Sequence, residues 1–256
     1  MVTEIKTVAR RHLATDGANL SLRAVARDMG MVSSALYRYF ASRDDLLTAL
    51  IIDAYNALGA AVENADAAVS QRSDLRERFL VLGRAVRCWA LANPSEYALI
   101  FGSPVPGYAA PADTIVAAQR TPDVLLGIFV DGLASERLNG ATGNGANASG
   151  VAVNGPAGNG LAGNGVAGKS GPGGGASGRD GPGELPPALR ADMTAARDAV
   201  APSLPPDVFA LGTIAWIHIF GAVSFELFGQ LNNVIEARDE YFDYQMNQIA
   251  DLAGLE

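Results

Sequence analysis

Apolar positions recur with a helical period along nearly the whole chain. Ile5, Val8, Ala9 and Leu13 predict a helix over residues 2–16, closed by Asp16 and Gly17. Leu22, Val25, Ala26 and Met29 fall at i, i+3, i+4 and i+7, the stripe of a helix that buries one face. Ser21 stands where an N-cap oxygen accepts the orphan N–H groups of that helix, and Gly30 where a left-handed C-cap is wanted. A shorter pattern follows, with Leu36 and Phe40 inward and Ser33, Ser34, Tyr37 and Arg38 outward; its cap is expected at Ser33 or Ser34. Ser42 and Asp45 form an S-x-x-D start for the next helix, which runs from Arg43 through Leu50, Ala54 and Leu58 to about residue 69. Its alanine-rich turns after Gly59 are expected to fray.

Further on, Leu75, Phe79, Leu82, Val86 and Trp89 mark a helix stopped at Asn93-Pro94, because a residue before proline leaves the α region. A short helical piece over 95–101 precedes a loop, 102–107, held by two prolines. Residues 111–138 read as helical, with Pro122 either opening a new helix or kinking a long one. Helices are also predicted over 188–200, 207–231 and 234–253, the last with Ile235, Phe242, Met246, Ile249 and Ala253 on one face. No useful length alternates with period two. The chain is expected to be all-α: an N-terminal three-helix head on a helical body.

The 256 residues are 49% hydrophobic, which supports a sizeable core. The most apolar stretch, Val208 to Phe225, is interrupted by His218 and glycines, so no membrane span is expected. No leader with a cleavage site opens the chain, and a cytoplasmic protein is expected. The single cysteine, Cys88, excludes an intrachain disulfide and reads as a small buried hydrophobe. The net charge of −8 is unevenly divided. Residues 1–45 hold seven Lys/Arg against five acids, net +2, and the remainder is net −10. A basic head on an acidic body points to a few placed contacts rather than a strong general field.

Two short helices around a tight turn, the second with a polar, aromatic and basic outer face, form a helix-turn-helix. Such a second helix is thin enough to enter a major groove and present hydrogen-bonding groups to it. Ser33, Ser34, Tyr37 and Arg38 are expected to face bases. Ser21, Tyr39 and Arg43 are expected to face phosphates, with Arg23 in the same DNA-facing set.

The run from Gly30 to Leu47, G-M-V-S-S-A-L-Y-R-Y-F-A-S-R-D-D-L-L, resembles the DNA-binding signature of the tetracycline-repressor (TetR) family of transcriptional regulators. Its landmarks are Gly30, Leu36, Tyr37, Phe40, Ser42 and Arg43. Two positions depart from the pattern: Val32 stands where serine or threonine is usual, and Arg43 where lysine is commoner. In the body, P-S-E-Y-A-L-I-F-G-S-P-V-P-G-Y and the later Trp216, His218 and Gly221 resemble the WHG type of C-terminal domain in that family. The resemblance implies a DNA-binding domain over 1–60 and a ligand-sensing and dimerisation domain over 61–256. It further implies a homodimer on double-stranded DNA, with a near-palindromic operator whose half-sites lie ~34 Å apart or a multiple of it.

Residues 139–183 differ from the rest, holding 17 of the 29 glycines, three prolines and no aromatic residue. This composition cannot bury enough apolar surface to order itself, so a disordered surface insertion is expected. Within it Gly163 to Ser170 fits G-x-x-x-x-G-K-S, the phosphate-binding P-loop string. A working P-loop needs a strand before it and a helix after it, and here a five-residue glycine repeat precedes and Gly171-Pro172-Gly173 follows. Nucleotide binding is therefore not expected. Asn147 opens a glycosylation sequon that has no meaning without a secretory signal.

Trp89, Tyr97, Phe101, Phe129, Trp216 and Phe220, with Cys88 and His218 beside them, are the candidate walls of a sensor pocket. Tyr97 and His218 would supply its polar groups, and the ligand would be small and mostly apolar. The plain alternative is a hydrophobic core. No metal constellation, cofactor site or nucleophile–base pair is visible, and the protein is expected to be no enzyme. The reading is thus a ligand-responsive DNA-binding regulator, most simply a repressor. The alternatives are a helical interaction protein without DNA binding and, far behind, a P-loop protein.

Overall fold

The computed structural model describes residues 1–16, 20–135 and 185–256. Ten helices and no strand occur among the described residues. The first four are α1 (Val2–Asp16), α2 (Leu22–Asp28), α3 (Ser33–Leu36) and α4 (Arg43–Ala68). Then come α5 (Leu75–Ala92), α6 (Pro94–Phe101) and α7 (Thr114–Ala134). The last three are α8 (Pro187–Val200), α9 (Pro206–Leu227) and α10 (Arg238–Ala253). The glycine-rich stretch 139–183, with its P-loop string and sequon, lies outside the described residues.

Two apolar clusters organise the fold. The first joins α1, α2, α3 and the start of α4 through Ile5, Val25, Leu36 and Leu46, all fully buried. The second fills the body, with Phe79, Tyr97, Phe129, Ile219 and Met246 at 0% exposure. Helix α4 contributes to both, its Leu46, Leu47 and Leu50 to the head and its Leu58 and Val62 to the body.

The distal half of α4 does not fray. At Gly59 it packs so closely on α7 that an added Cβ would lie 2.7 Å from Arg120 Cβ. Arg120 then grips α4 on both sides of that contact, donating to Glu63 Oε1 and Oε2 at 2.8 and 2.6 Å and to the Asn56 carbonyl at 2.9 Å. The last turn is pinned by the buried Arg78 of α5, which donates to Asp66 at 2.8 Å and to Asp131 of α7 at 2.7 Å. Burial disfavours charge on both Arg78 and Asp66, yet their hydrogen bonds outweigh it. Arg78 is held above its ordinary pKa and Asp66 below.

Other expectations shift at helix ends. Of the two arrangements expected at Pro122 the long helix is the one found: Pro122 lies inside one continuous α7, and no new helix opens there. The last two helices are shorter than their apolar patterns: α9 stops at Leu227 and α10 begins at Arg238. Left-handed backbone at Gly229 (φ +81°) and Asn233 (φ +61°) turns the chain between them. Cys88 is exposed rather than buried. It lies off the stripe of Leu75, Phe79, Leu82, Val86 and Ala90 that faces the core.

By length and mean hydropathy α4 and α9 are each apolar enough to cross a membrane, which uninterrupted apolar runs did not suggest. An average over 18 residues tolerates the isolated polar positions that break such runs. In this fold both helices supply core residues, among them Leu58 and Val62 of α4 and Ala215, Ile219 and Val223 of α9.

Candidate nucleic-acid interface

The turn between α2 and α3 is built by its glycine. Gly30 adopts φ +65°, its N–H donates to the Arg27 carbonyl at 3.0 Å, and Met31 N–H donates to the Ala26 carbonyl at 2.9 Å. This pair of bonds is a Schellman closure, and a left-handed residue without a Cβ makes it at least cost. Two expected caps differ. Ser21 occupies the N-cap of α2 without accepting a side-chain bond, and the N-cap of α3 is Val32, so Ser33 is already the first helical residue. Val32 is 72% exposed, directly at the start of the short helix. The four residues of α3 continue as a tight turn, in which Tyr39 N–H donates to the Leu36 carbonyl at 2.9 Å and Phe40 N–H to the same oxygen at 3.1 Å. That winding buries Leu36 and Phe40 together and turns Ser34, Tyr37, Arg38 and Tyr39 to solvent. Ser33 is half-buried, and Ser21 and Arg23 are exposed on the adjoining side of α2.

Arg43 is placed differently from the other candidates. It is half-buried, its Nε donates to the Leu20 carbonyl at 3.1 Å, and its Nη1 lies 3.4 Å from Asp44. Its guanidinium thus ties the start of α4 to the segment before α2. The start of α4 is capped as expected, with Ser42 Oγ accepting from Asp45 N–H at 3.1 Å. Within the head His12 and Asp28 pair at 2.8 Å, joining α1 to α2.

Contacts that fix the head on the body come from residues not singled out in the sequence. Val105, in the loop after α6, is buried within the head cluster, and Leu99 and Tyr108 pack against the same cluster. The hydroxyls of Tyr108 and Thr48 of α4 are 2.9 Å apart. Arg10 of α1 lies between Asp53 of α4 (2.8 Å) and Glu96 of α6 (3.7 Å). An apolar and an aromatic residue inside a proline-held loop, P-V-P-G-Y, were the available signal.

The candidate pocket residues do not line one cavity. Tyr97, Phe101, Phe220 and Trp216 form a continuous aromatic cluster with neighbouring centroids 4.3 to 5.1 Å apart. Tyr97 Oη donates to the Phe220 carbonyl at 3.0 Å and lies 2.9 Å from Ser224 Oγ. Burial pushes its phenol above the ordinary value against the opposing bond to Ser224. Phe129 is fully buried and meets Gly212 of α9, and Trp89 packs half-buried against the same core. His218 faces the other way, into a cleft of about 310 Å³ with Ile217, Phe225, Tyr241 and Gln245, and its Nε2 is buried without a partner. Trp216 instead borders a cavity of about 300 Å³ between α7, α8 and α9. Among the described residues no group of acids, histidines or cysteine is arranged to hold a metal ion.

The family model described as bacterial regulatory proteins, tetR family, matches residues 5–50. The model described as tetracyclin repressor-like, C-terminal domain, matches residues 79–249. The chain is 48% identical over 136 residues to the HTH-type transcriptional regulators Rv1816 of Mycobacterium tuberculosis and Mb1846 of Mycobacterium bovis. That match covers 52% of this chain and 55% of each relative, so the chain spans about half the length of the curated relatives it matches. The crystal structure of SCO4313, assigned as a regulatory protein, superposes with a TM-score of 0.68 at 29% identity, covering 98% of this chain and 95% of that one. A protein with unknown function from Rhodococcus sp. RHA1 shares the fold at 19% identity, with a TM-score of 0.60 over 99% of this chain and 93% of its own.

Proposed function

The chain belongs to the TetR family of transcriptional regulators, and on that premise we propose that it is a homodimeric, operator-binding repressor of the cytoplasm, released by a small neutral ligand. The carrying observation is the outward face of the α3 turn. Ser34, Tyr37, Arg38 and Tyr39 stand exposed together, while Leu36 and Phe40 anchor the same turn in the head core. A short, rigidly backed helix with hydroxyl, phenol and guanidinium groups suits entry into a major groove. Residues 1–60 act as the DNA-binding domain in this reading, and 61–256 as the sensing and dimerisation domain.

Support for the dimer comes from α9 and α10. Ile214, Ile217 and Phe225 are 44, 64 and 58% exposed at helical spacing, and Tyr241, Tyr244 and Leu252 continue the patch on α10. Gly221 lies in this stripe with open space beside its Cα, where a partner helix can approach closely. A contiguous apolar face of this kind is normally covered, and two copies would close it into a four-helix bundle. A two-fold dimer presents two α3 turns to a near-palindromic operator.

The testing experiment is selection of bound duplexes from a random-sequence pool, followed by gel shift with the enriched sequence. Enrichment of a palindrome bound by a dimer is the expected result. Failure to enrich any sequence would favour a helical interaction protein instead.

A further inference from the structure

The head hides its aliphatic side chains with one exception. Apart from Met1 and Val2 at the start of the chain, Val32 is the only large aliphatic residue exposed among the described residues of 1–60, at 72%. Ile5, Val8, Leu13, Val25 and Leu36 are all buried in the cluster that joins α1 to α4. Nothing in the fold crowds the turn that presents Val32, since an added Cβ at Gly30 would meet no atom within 4 Å. A single apolar side chain elsewhere on a surface needs no account. This one leads into the exposed run of Ser34, Tyr37, Arg38 and Tyr39.

Val32 also gives up a local bond. It is the N-cap of α3, where a serine or threonine oxygen would accept from a backbone N–H two or three residues on. Valine has no such oxygen, and no side-chain bond closes the cap. Only its carbonyl takes part, accepting from Ala35 N–H at 2.9 Å. Neither burial nor capping therefore accounts for an isopropyl group at this place.

The second helix of a helix-turn-helix sets its first residues against base edges. An isopropyl group there makes no hydrogen bond. Facing guanine N7 and O6, or the amino groups of adenine and cytosine, it would strip water from polar atoms and replace it with nothing. Thymine alone presents an apolar group in the major groove, its C5-methyl. Contact between that methyl and Val32 removes apolar surface from water on both partners.

We propose that Val32 is a specificity-determining residue that reads the C5-methyl group of one thymine in each operator half-site. The contact rests on the operator-binding function proposed above, and it differs in kind from the hydrogen bonds expected of Ser33, Ser34, Tyr37 and Arg38.

The test uses the full chain and its selected duplex. Each thymine is replaced in turn, in both half-sites, by deoxyuridine, which lacks only the C5-methyl group. Fluorescence anisotropy then gives the Kd for the native chain, Val32→Ala and Val32→Ile. At one position the replacement should weaken native binding about tenfold or more, from roughly fourfold per half-site. In Val32→Ala the same replacement should cost about twofold or less, while Val32→Ile, still branched and apolar, should keep the native sensitivity. Val32→Ser separates stability from recognition. It restores a capping oxygen and should raise the urea midpoint, yet repeated selection with it should lose the thymine preference at that position and keep the rest of the site. A selected half-site with no fixed thymine, or deoxyuridine penalties equal in the native chain and Val32→Ala, overturns the contact and leaves operator binding standing. If the native chain selects no duplex, the proposed function fails and the contact with it.

Discussion

Tyr108 and Thr48, sixty residues apart in sequence, meet hydroxyl to hydroxyl at 2.9 Å across the boundary between the loop after α6 and helix α4. With Val105 seated in the head core, Leu99 packed against it and Arg10 set between Asp53 and Glu96, the bond is one of several contacts among the described residues that hold the head to the body besides the continuous helix α4.

Arg38→Ala should remove a base-reading contact and cost about 1–3 kcal/mol of operator affinity while relaxing sequence preference. Arg43→Ala should behave differently, because its Nε holds the Leu20 carbonyl. It should lower stability by about 1 kcal/mol through the lost hydrogen bond and weaken binding to all sequences alike. Fluorescence anisotropy on operator and scrambled duplexes, beside urea denaturation of each variant, separates the two. Unchanged operator affinity in both variants would remove the DNA assignment of this face.

Gly59→Ala places a methyl group 2.7 Å from Arg120 Cβ, so α4 and α7 must separate or Arg120 must release Glu63. Overpacking of this kind costs about 1–3 kcal/mol, read as a lower urea midpoint with an unchanged slope. Gly127→Ala, on α7 where an added Cβ meets nothing, is the matched control and should be nearly neutral or slightly stabilising.

Arg78 is 3% exposed, and Arg78→Met would leave Asp66 without its 2.8 Å partner. Outright loss of a buried charge partner costs about 3–5 kcal/mol, and because Arg72 still pairs with Asp66 the loss here should fall short of that. The same cluster sets an acid dependence. Because the folded pKa of Asp66 is depressed, its contribution to stability is fully present above the ordinary carboxylate value of about 3.9 and is lost as pH falls through the folded value. Asp66→Asn should lower stability near neutral pH and flatten the loss of stability on acidification. Urea midpoints measured across the acid range check both effects; an unchanged acid slope would show that Asp66 is not among the groups responsible.

Ile217→Glu puts a charge in the middle of the exposed α9 stripe, 64% exposed in the single chain. If two copies cover that stripe, the charge is desolvated opposite its own symmetry mate, and sedimentation should show a monomer at concentrations where the native chain is a dimer. The single-chain fold should persist, since the side chain is not part of the core. A variant that remains dimeric would place the interface elsewhere.

The sequence by itself determined what depends on neighbours a few residues away. Helical faces followed from spacing, as in Leu22, Val25 and Ala26, because a 3.6-residue turn brings those positions together regardless of context. Gly30 was legible because a left-handed C-cap is a local backbone demand, and Ser42 because its oxygen needs only the N–H three residues on. Of the set read as outward, Ser33, Ser34, Tyr37 and Arg38, the last three are exposed and Ser33 is half-buried. What only the tertiary structure decided depends on which helices meet. Arg43, its side chain still about a third exposed, donates through Nε to the Leu20 carbonyl, 23 residues away, a bond that no local pattern announces. The end of α4 held because Arg78, Arg72 and Arg120 arrive from elsewhere to bond it. His218 and Tyr97 parted because they lie on opposite sides of the packed helices, one toward the cleft between α9 and α10 and the other toward the core. Val105 entered the head core because a loop from the body happened to close over it, a pairing that no local pattern specifies.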